Sequence, residues 1–239
     1  LLAARCARLA LCARRLDRLH QLGLGEGAIC IEADVAVAAD CERFVAESQR
    51  ALGRIDTLVC NAGYGFVRPI ADTTMEEWDR ILRTNLLGTA ACIRAAIPAM
   101  RVQAQRGAWR GQVMIVSSAL ARRAKPDSGA YSATKAAQLS IAEALRLELD
   151  DAKIAVTSVH PVNTATEFGE VAERVSAQPW RRSVRDAVQT ADQVAEAMVR
   201  AIVKPRPEVW PDRASRWALG LAGLMPGLVD NIMRRRYGR

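Results

Sequence analysis

The sequence predicts an α/β fold, a parallel sheet with helices on both faces. Three observations carry that prediction. Short apolar, β-rich runs alternate with longer helical stretches along the chain, as βαβ units require. The length of 239 residues suits one domain with a substantial core. Half the residues are apolar and a quarter charged, the balance of a globular protein in water.

Taken in order, strands are expected at 8–13, 28–32, 57–60, 112–117, 155–160 and 208–210, with helices at about 38–52, 75–104, 130–150 and 191–203. Gly53 closes the first helix as a C-terminal glycine does. Asp72 or Thr73 is positioned to cap the helix containing MEEWDRIL, whose early glutamates suit a positive dipole end. Thr190 or Asp192 does the same for QVAEAMVRAIV. The stretch 167–189 shows no apolar periodicity and contains Pro179 and Trp180. Ligands of such sheets bind beyond the carboxyl ends of the strands, so this stretch reads as a candidate substrate lid. The C-terminal segment 212–239 contains WALGLAGLMPGLV, which is short of the ~20 residues a bilayer span needs and is interrupted by Pro226. It reads as core-packing or oligomer-facing, with weak peripheral membrane contact as a further reading because arginines flank it.

Several classes of function are excluded by composition. Cys6, Cys12, Cys30, Cys41, Cys60 and Cys92 have no CxxC spacing and sit mostly in apolar runs, so they read as reduced thiols of a cytoplasmic protein. With only His20 and His160 present, a histidine metal site is not expected. A net charge of +8 raises the question of nucleic acid, but the arginines are dispersed apart from Arg234, Arg235, Arg236 and Arg239. No aromatic-interleaved basic stripe accompanies them, and a solvated surface is the reading. A serine hydrolase is disfavoured because no G-x-S-x-G elbow occurs.

The chemistry concentrates in AYSATKAA. Tyr131 and Lys135 are four residues apart, which puts them on one helix face. An ammonium beside a phenol favours the phenolate, and bringing a tyrosine near neutrality takes about 4 kcal/mol at ~1.4 kcal/mol per pH unit. The run VMIVSS ends with Ser118, thirteen residues before Tyr131, so a hydroxyl is available to hold a substrate oxygen. On its own Tyr-x-x-x-Lys also fits an ordinary amphipathic helix.

Together with LALCARR at 9–15, AD at 33–34, CNAG at 60–63, TNLLGT at 84–89, VSS at 116–118, YSATK at 131–135 and HPVNTAT at 160–166, these residues resemble the short-chain dehydrogenase/reductase family in its single-domain form. The resemblance implies a Rossmann-like doubly wound parallel sheet over 1–239 and an alcohol/carbonyl oxidoreductase with a nicotinamide cofactor. It implies Ser118, Tyr131, Lys135 and Asn85 as catalytic residues, with Asn85 holding a water that links Lys135 to solvent. For the cofactor it implies Arg14, Arg15, Asp34, Val35, Asn61, Ala62, Gly63, Tyr131, Lys135, Pro161 and Thr166, with Thr164 as the alternative to the last. Ser117 would support the strand end. Arg14 and Arg15 stand where the adenosine ribose lies, and a guanidinium fork suits a 2′-phosphate, which favours NADP over NAD. A homodimer or homotetramer is also implied.

Two features depart from the family pattern. Pro161 is followed by valine, and the chain contains neither the opening strand nor the glycine-rich turn that cradles the pyrophosphate. That strand would lie between those at 8–13 and 57–60, and its absence would leave two facing edges unpaired at on the order of 1–3 kcal/mol per buried group. A fragment of a longer product is therefore expected. A cofactor-deficient fragment or regulatory relative is the alternative function.

Overall fold

A computed structural model describes residues 1–176 and 189–238. Among the described residues eight strands follow in chain order: β1 (Leu9–Ala13), β2 (Ala28–Glu32), β3 (Thr57–Cys60), β4 (Gly111–Val116), β5 (Ile154–Val159), β6 (Thr164–Ala165), β7 (Gln189–Thr190) and β8 (Glu208–Val209). Between and after them run α1 (Leu16–His20), α2 (Ala38–Leu52), α3 (Met75–Leu82), α4 (Gly88–Val102), α5 (Gly129–Glu148), α6 (Phe168–Val175), α7 (Ala191–Val203), α8 (Arg213–Leu224) and α9 (Pro226–Tyr237).

Every strand pair is parallel, as expected for βαβ units. The central strands β4 and β5 are buried along their whole length, so their near-continuous apolar sequences are those of a sheet covered on both faces. One face packs Val113, Ile115 and Val156 against Cys41 and Val45 of α2, Ile93 and Ala96 of α4, and Ala142 of α5. The other packs Met114, Val116 and Val159 against Ala197 and Ala201 of α7. Two helical layers around one parallel sheet form the doubly wound architecture the sequence predicts.

The sheet is not continuous. β1 pairs only with β2, and β3 opens a separate sheet of order β3-β4-β5-β8. The facing edges of β1 and β3 line one cavity of about 1990 Å³. Leu9–Ala13 is consequently half-buried throughout, and Val59 of β3 is 37% exposed although its neighbours on β4 are fully enclosed. This is the unpaired-edge geometry anticipated above.

Three local expectations need correction. The helix expected over 75–104 is two helices joined by a π-helical turn, Arg83–Leu87. Its cap is Thr74 rather than Asp72 or Thr73: the Thr74 hydroxyl accepts from Glu77 N at 3.2 Å while the Glu77 carboxylate accepts from Thr74 N at 3.0 Å. Thr73 instead donates to the Pro69 carbonyl at 2.9 Å, and Asp72 lies in a 3-10 turn. The stretch at 167–189 is not structureless, because α6 occupies Phe168–Val175 with Phe168, Val171, Ala172 and Val175 at i, i+3, i+4 and i+7. Residues 177–188, including Pro179 and Trp180, lie outside the described residues. Thr190 does form the capping box of α7, and Gly53 ends α2 with φ of 77°. The C-terminal apolar stretch is two helices, with Pro226 at the first position of α9, where it costs no hydrogen bond.

Candidate active site

At the carboxyl end of β4 the chain turns sharply, and two consecutive serines divide the work. The Ser117 hydroxyl donates to the Lys135 carbonyl at 2.7 Å and ties the strand end to α5. The Ser118 hydroxyl caps the 3-10 turn Ala119–Ala121 by accepting from Leu120 N at 3.1 Å, and it also contacts the Tyr131 phenol. The thirteen-residue spacing therefore selects the serine that reaches the tyrosine.

Along α5, Tyr131, Lys135 and Gln138 fall at i, i+4 and i+7 on one face, and all three are buried. The Tyr131 ring is held by Phe168, with centroids 5.5 Å apart and planes tilted by 59°. Gly65 backs the same ring: a Cβ there would stand 3.1 Å from Tyr131 Cδ2 and 3.0 Å from Phe168 Cζ. Lys135 Nζ lies 5.7 Å from the Tyr131 ring centroid. It donates to the Val116 carbonyl at 2.8 Å and to Gln138 Oε1 at 2.9 Å.

The electrostatics reverse one expectation. Burial pushes the Tyr131 phenol up to about 12, opposed only by the Ser118 hydroxyl, so the lysine does not produce the anticipated acidic phenol. Burial also pulls Lys135 down to about 7, with the thiol of Cys60 the opposing influence. Both groups lie in a dry interior that disfavours their charged forms, and the ammonium is turned toward Val116 and Gln138.

Asn85 sits in the π-helical turn and is fully buried. Its amide closes a two-way bridge to Tyr64, accepting from the backbone N at 3.0 Å and donating to the carbonyl at 2.8 Å, and it donates to Thr134 Oγ1 at 3.1 Å. The Asn85 carbonyl is engaged by side chains as well. That carbonyl accepts from Gln138 Nε2 at 2.6 Å and Thr89 Oγ1 at 2.9 Å. The Gln138 side chain thus spans Asn85 and Lys135, where the resemblance implied a water.

The expected cofactor residues largely converge. Arg15, Val35, Asn61, Ala62, Gly63, Ser118, Tyr131, Lys135, Pro161, Thr164 and Thr166 line the large cavity. At Gly63 a Cβ would meet Asn85 Oδ1 at 3.1 Å and Lys135 Nζ at 3.6 Å, so glycine allows this turn to lie against the site. Arg14 and Asp34 line a separate hollow of about 420 Å³ with Asp40 and Arg43. There Arg14 Nη1 is 4.0 Å from Asp34 Oδ2, and Asp34 Oδ1 accepts from Ala36 N at 2.9 Å, the turn-capping role its position also suggested. Arg15 faces Glu167 at 4.0 Å, and Arg18 grips the same carboxylate at 2.9 and 3.1 Å. Val162, standing after Pro161, donates its N–H to Gln189 Oε1 at 3.2 Å.

Sequence reading missed two buried side chains. Gln138 was detectable, since it lies three residues past Lys135 on the face that carries Tyr131. His160 was noticed only as one of two histidines. It stacks on Trp210 at 4.5 Å, its Nδ1 lies 3.2 Å from the Ser118 carbonyl, and its Nε2 lies 3.0 Å from Ser158 Oγ. A carbonyl only accepts, so Nδ1 carries the proton and braces the backbone of Ser118.

A parallel, doubly covered sheet whose candidate site residues gather at the carboxyl end of a central strand is the Rossmann-like class of α/β protein. The family model described as short chain dehydrogenase matches residues 1–176, and the chain belongs to this short-chain dehydrogenase/reductase family of oxidoreductases. It is 31% identical over 98% of its length to the 11-beta-hydroxysteroid dehydrogenase-like 4A protein of Arabidopsis thaliana, covering 77% of that protein. An uncharacterized NAD-dependent oxidoreductase of Mycobacterium tuberculosis is 34% identical over 61% of the chain. The chain spans about half the length of that relative, 52%. Among solved structures, a 3-ketoacyl-(acyl-carrier-protein) reductase from Brucella melitensis complexed with NADH superposes with a TM-score of 0.77 at 25% identity, covering 85% of this chain and 86% of that one. The alcohol dehydrogenase of Thermococcus sibiricus complexed with 5-hydroxy-NADP gives 0.72 at 25% identity, over 87% of each chain.

Proposed function

We propose that the protein is an NADP(H)-dependent oxidoreductase that interconverts an alcohol and a carbonyl, with Tyr131 as general acid/base. The observation that carries this reading is the buried contact of the Ser118 hydroxyl with the Tyr131 phenol, on the wall of a cavity that Lys135 also lines. A bound dinucleotide supplies or accepts the hydride. Residues that would hold it are Thr164, Thr166 and Pro161 for the nicotinamide end, Asn61, Ala62 and Gly63 at a turn of small residues, and Arg14 beside Asp34 for the adenosine end; the first six line the large cavity and the last two the smaller hollow.

The phenol, raised to about 12, is protonated throughout the neutral range and is therefore a proton donor to a carbonyl oxygen during reduction. Ser118 orients that oxygen. Lys135 shares the face and holds the site's positive charge when protonated, which stabilises the phenolate left behind. Phe168 of α6, packed on Tyr131, makes the substrate side apolar. In this reading 1–239 forms one Rossmann-like domain of a cytoplasmic enzyme, consistent with its six free thiols, and the enzyme works as a homodimer or homotetramer on a small alcohol or carbonyl compound, without nucleic acid. Among the described residues no helix is long and apolar enough to cross a membrane.

The test is Tyr131→Phe, assayed as NADPH oxidation across a panel of aldehydes and ketones. Turnover is lost while NADPH affinity, measured by fluorescence titration, stays within about twofold. Near-normal turnover in the variant would remove the reading. The open edges of β1 and β3 favour one competitor, a cofactor-deficient regulatory relative. The same titration on the unmodified chain separates them, because that competitor binds no NADPH.

A further inference from the structure

Gln138 is 0% exposed, and every part of its amide is engaged. Oε1 accepts from Lys135 Nζ at 2.9 Å, and Nε2 donates to the Asn85 carbonyl at 2.6 Å and to Thr89 Oγ1 at 3.0 Å. The amide's orientation is fixed by chemistry: the Asn85 carbonyl only accepts, so the nitrogen must face Asn85 and the oxygen is left to face Lys135. The three groups it joins come from three places, α5, the π-helical turn and α4, all packed behind the Tyr131 wall of the cavity.

We propose that Gln138 is a positioning residue of the Tyr131–Lys135 pair, a neutral clamp that fixes Lys135 Nζ. The inference rests on the oxidoreductase reading above. The amide also sets the charge on Lys135. Its dipole partly stabilises the ammonium, whereas a carboxylate would hold it fully, and an apolar side chain would leave Nζ with the Val116 carbonyl as its one remaining protein acceptor. Cys60 also faces Lys135 electrostatically, across the cavity wall, and is unchanged in these variants.

The experiment is a pH titration of 13Cε-labelled lysine followed by NMR on the intact chain, in wild type, Gln138→Glu and Gln138→Leu. The resonances of Lys125, Lys135, Lys153 and Lys204 are to be separated, with Lys135→Met giving the assignment. The Lys135 midpoint moves up by about one pH unit or more in Gln138→Glu, a tenfold change in proton affinity, and moves down in Gln138→Leu. Where the chain turns over substrate, the kcat–pH profile follows the same direction in each variant. A Lys135 midpoint unmoved in both variants, in protein whose thermal unfolding shows it folded, overturns the clamp. A Tyr131→Phe variant that retains turnover overturns the oxidoreductase reading instead. The NMR result stands apart from activity, so the two failures are distinguishable.

Discussion

Arg14 is the residue on which coenzyme choice turns. Its guanidinium is largely exposed and only loosely paired, 4.0 Å from Asp34, and exposed pairs of this kind contribute little. It is therefore available to a 2′-phosphate, where a charge-assisted contact is stronger than the one it gives up. Arg14→Ala should lower kcat/KM for NADPH about tenfold or more and change the NADH value much less. Steady-state rates with both coenzymes check it, and an equal loss for both would reassign Arg14 to a structural part. The sharing of one face of α5 by Tyr131 and Lys135 was legible because helical spacing depends only on the local chain. The direction of the Tyr131 shift was not, since it depends on how deeply Phe168, Gly65 and Ser118 enclose the ring, and residues so distant in sequence leave no local signature. Gln138 shares the legible face of α5, but its partners Asn85 and Thr89, 53 and 49 residues away, left no local signature.

Element boundaries show the same division. The strands at 28–32 and 57–60 and the helices at 38–52 and 191–203 have the predicted bounds, because a glycine end, a threonine capping box or a turn marks them. The division of 75–104 was not visible, since the π turn is selected by tertiary contacts: Asn85 is drawn to Tyr64 and Thr134, and its carbonyl to Gln138. The join also demands a close approach, for at Gly88 a Cβ would stand 2.4 Å from the Val35 carbonyl oxygen. Gly88→Ala must push α4 away from the turn after β2, and should destabilise the protein by about 1–3 kcal/mol despite alanine's better helix propensity. Urea unfolding measures it, and a stabilised variant would contradict the packing. At the other end of the chain, α8 and α9 turn Leu219, Ala222, Val229 and Met233 toward the large cavity while Trp217, Leu221, Leu224 and Leu228 stay more than half exposed. With Arg213, Arg216, Arg234 and Arg235 exposed nearby, the peripheral contact read from the sequence predicts sedimentation with phosphatidylserine vesicles that is reversed by salt and weakened by Leu221→Ser/Leu224→Ser.

At the scale of the molecule, the divided sheet and the dry site act together on stability. Eight strand residues, four of β1 and four of β3, border the cavity between the two facing edges, among them Cys12 and Cys60, yet burial still raises both thiols, to about 11 and about 12. Lys135 moves the other way, to about 7 from an ordinary 10.5. The signs follow from proton counting. Between pH 7 and 10.5 the unfolded chain holds a proton on Lys135 that the native state does not, so stability rises with pH there by up to about 1.4 kcal/mol per unit. Above 9 the native state retains protons on Cys12 and Cys60, and above 10 on Tyr131, that the unfolded chain releases, so their contribution is lost as pH climbs through the folded values. One lysine sets the slope below 9 and two thiols outweigh it above, which places the maximum near 9. Chemical denaturation from pH 7 to 11 should trace this rise and fall, and Lys135→Met should flatten the rise between 7 and 9 while keeping the fall. A rise that survives the lysine's removal would mean that Nζ is solvated in solution and that the dry Tyr131–Lys135–Gln138 cluster does not exist there.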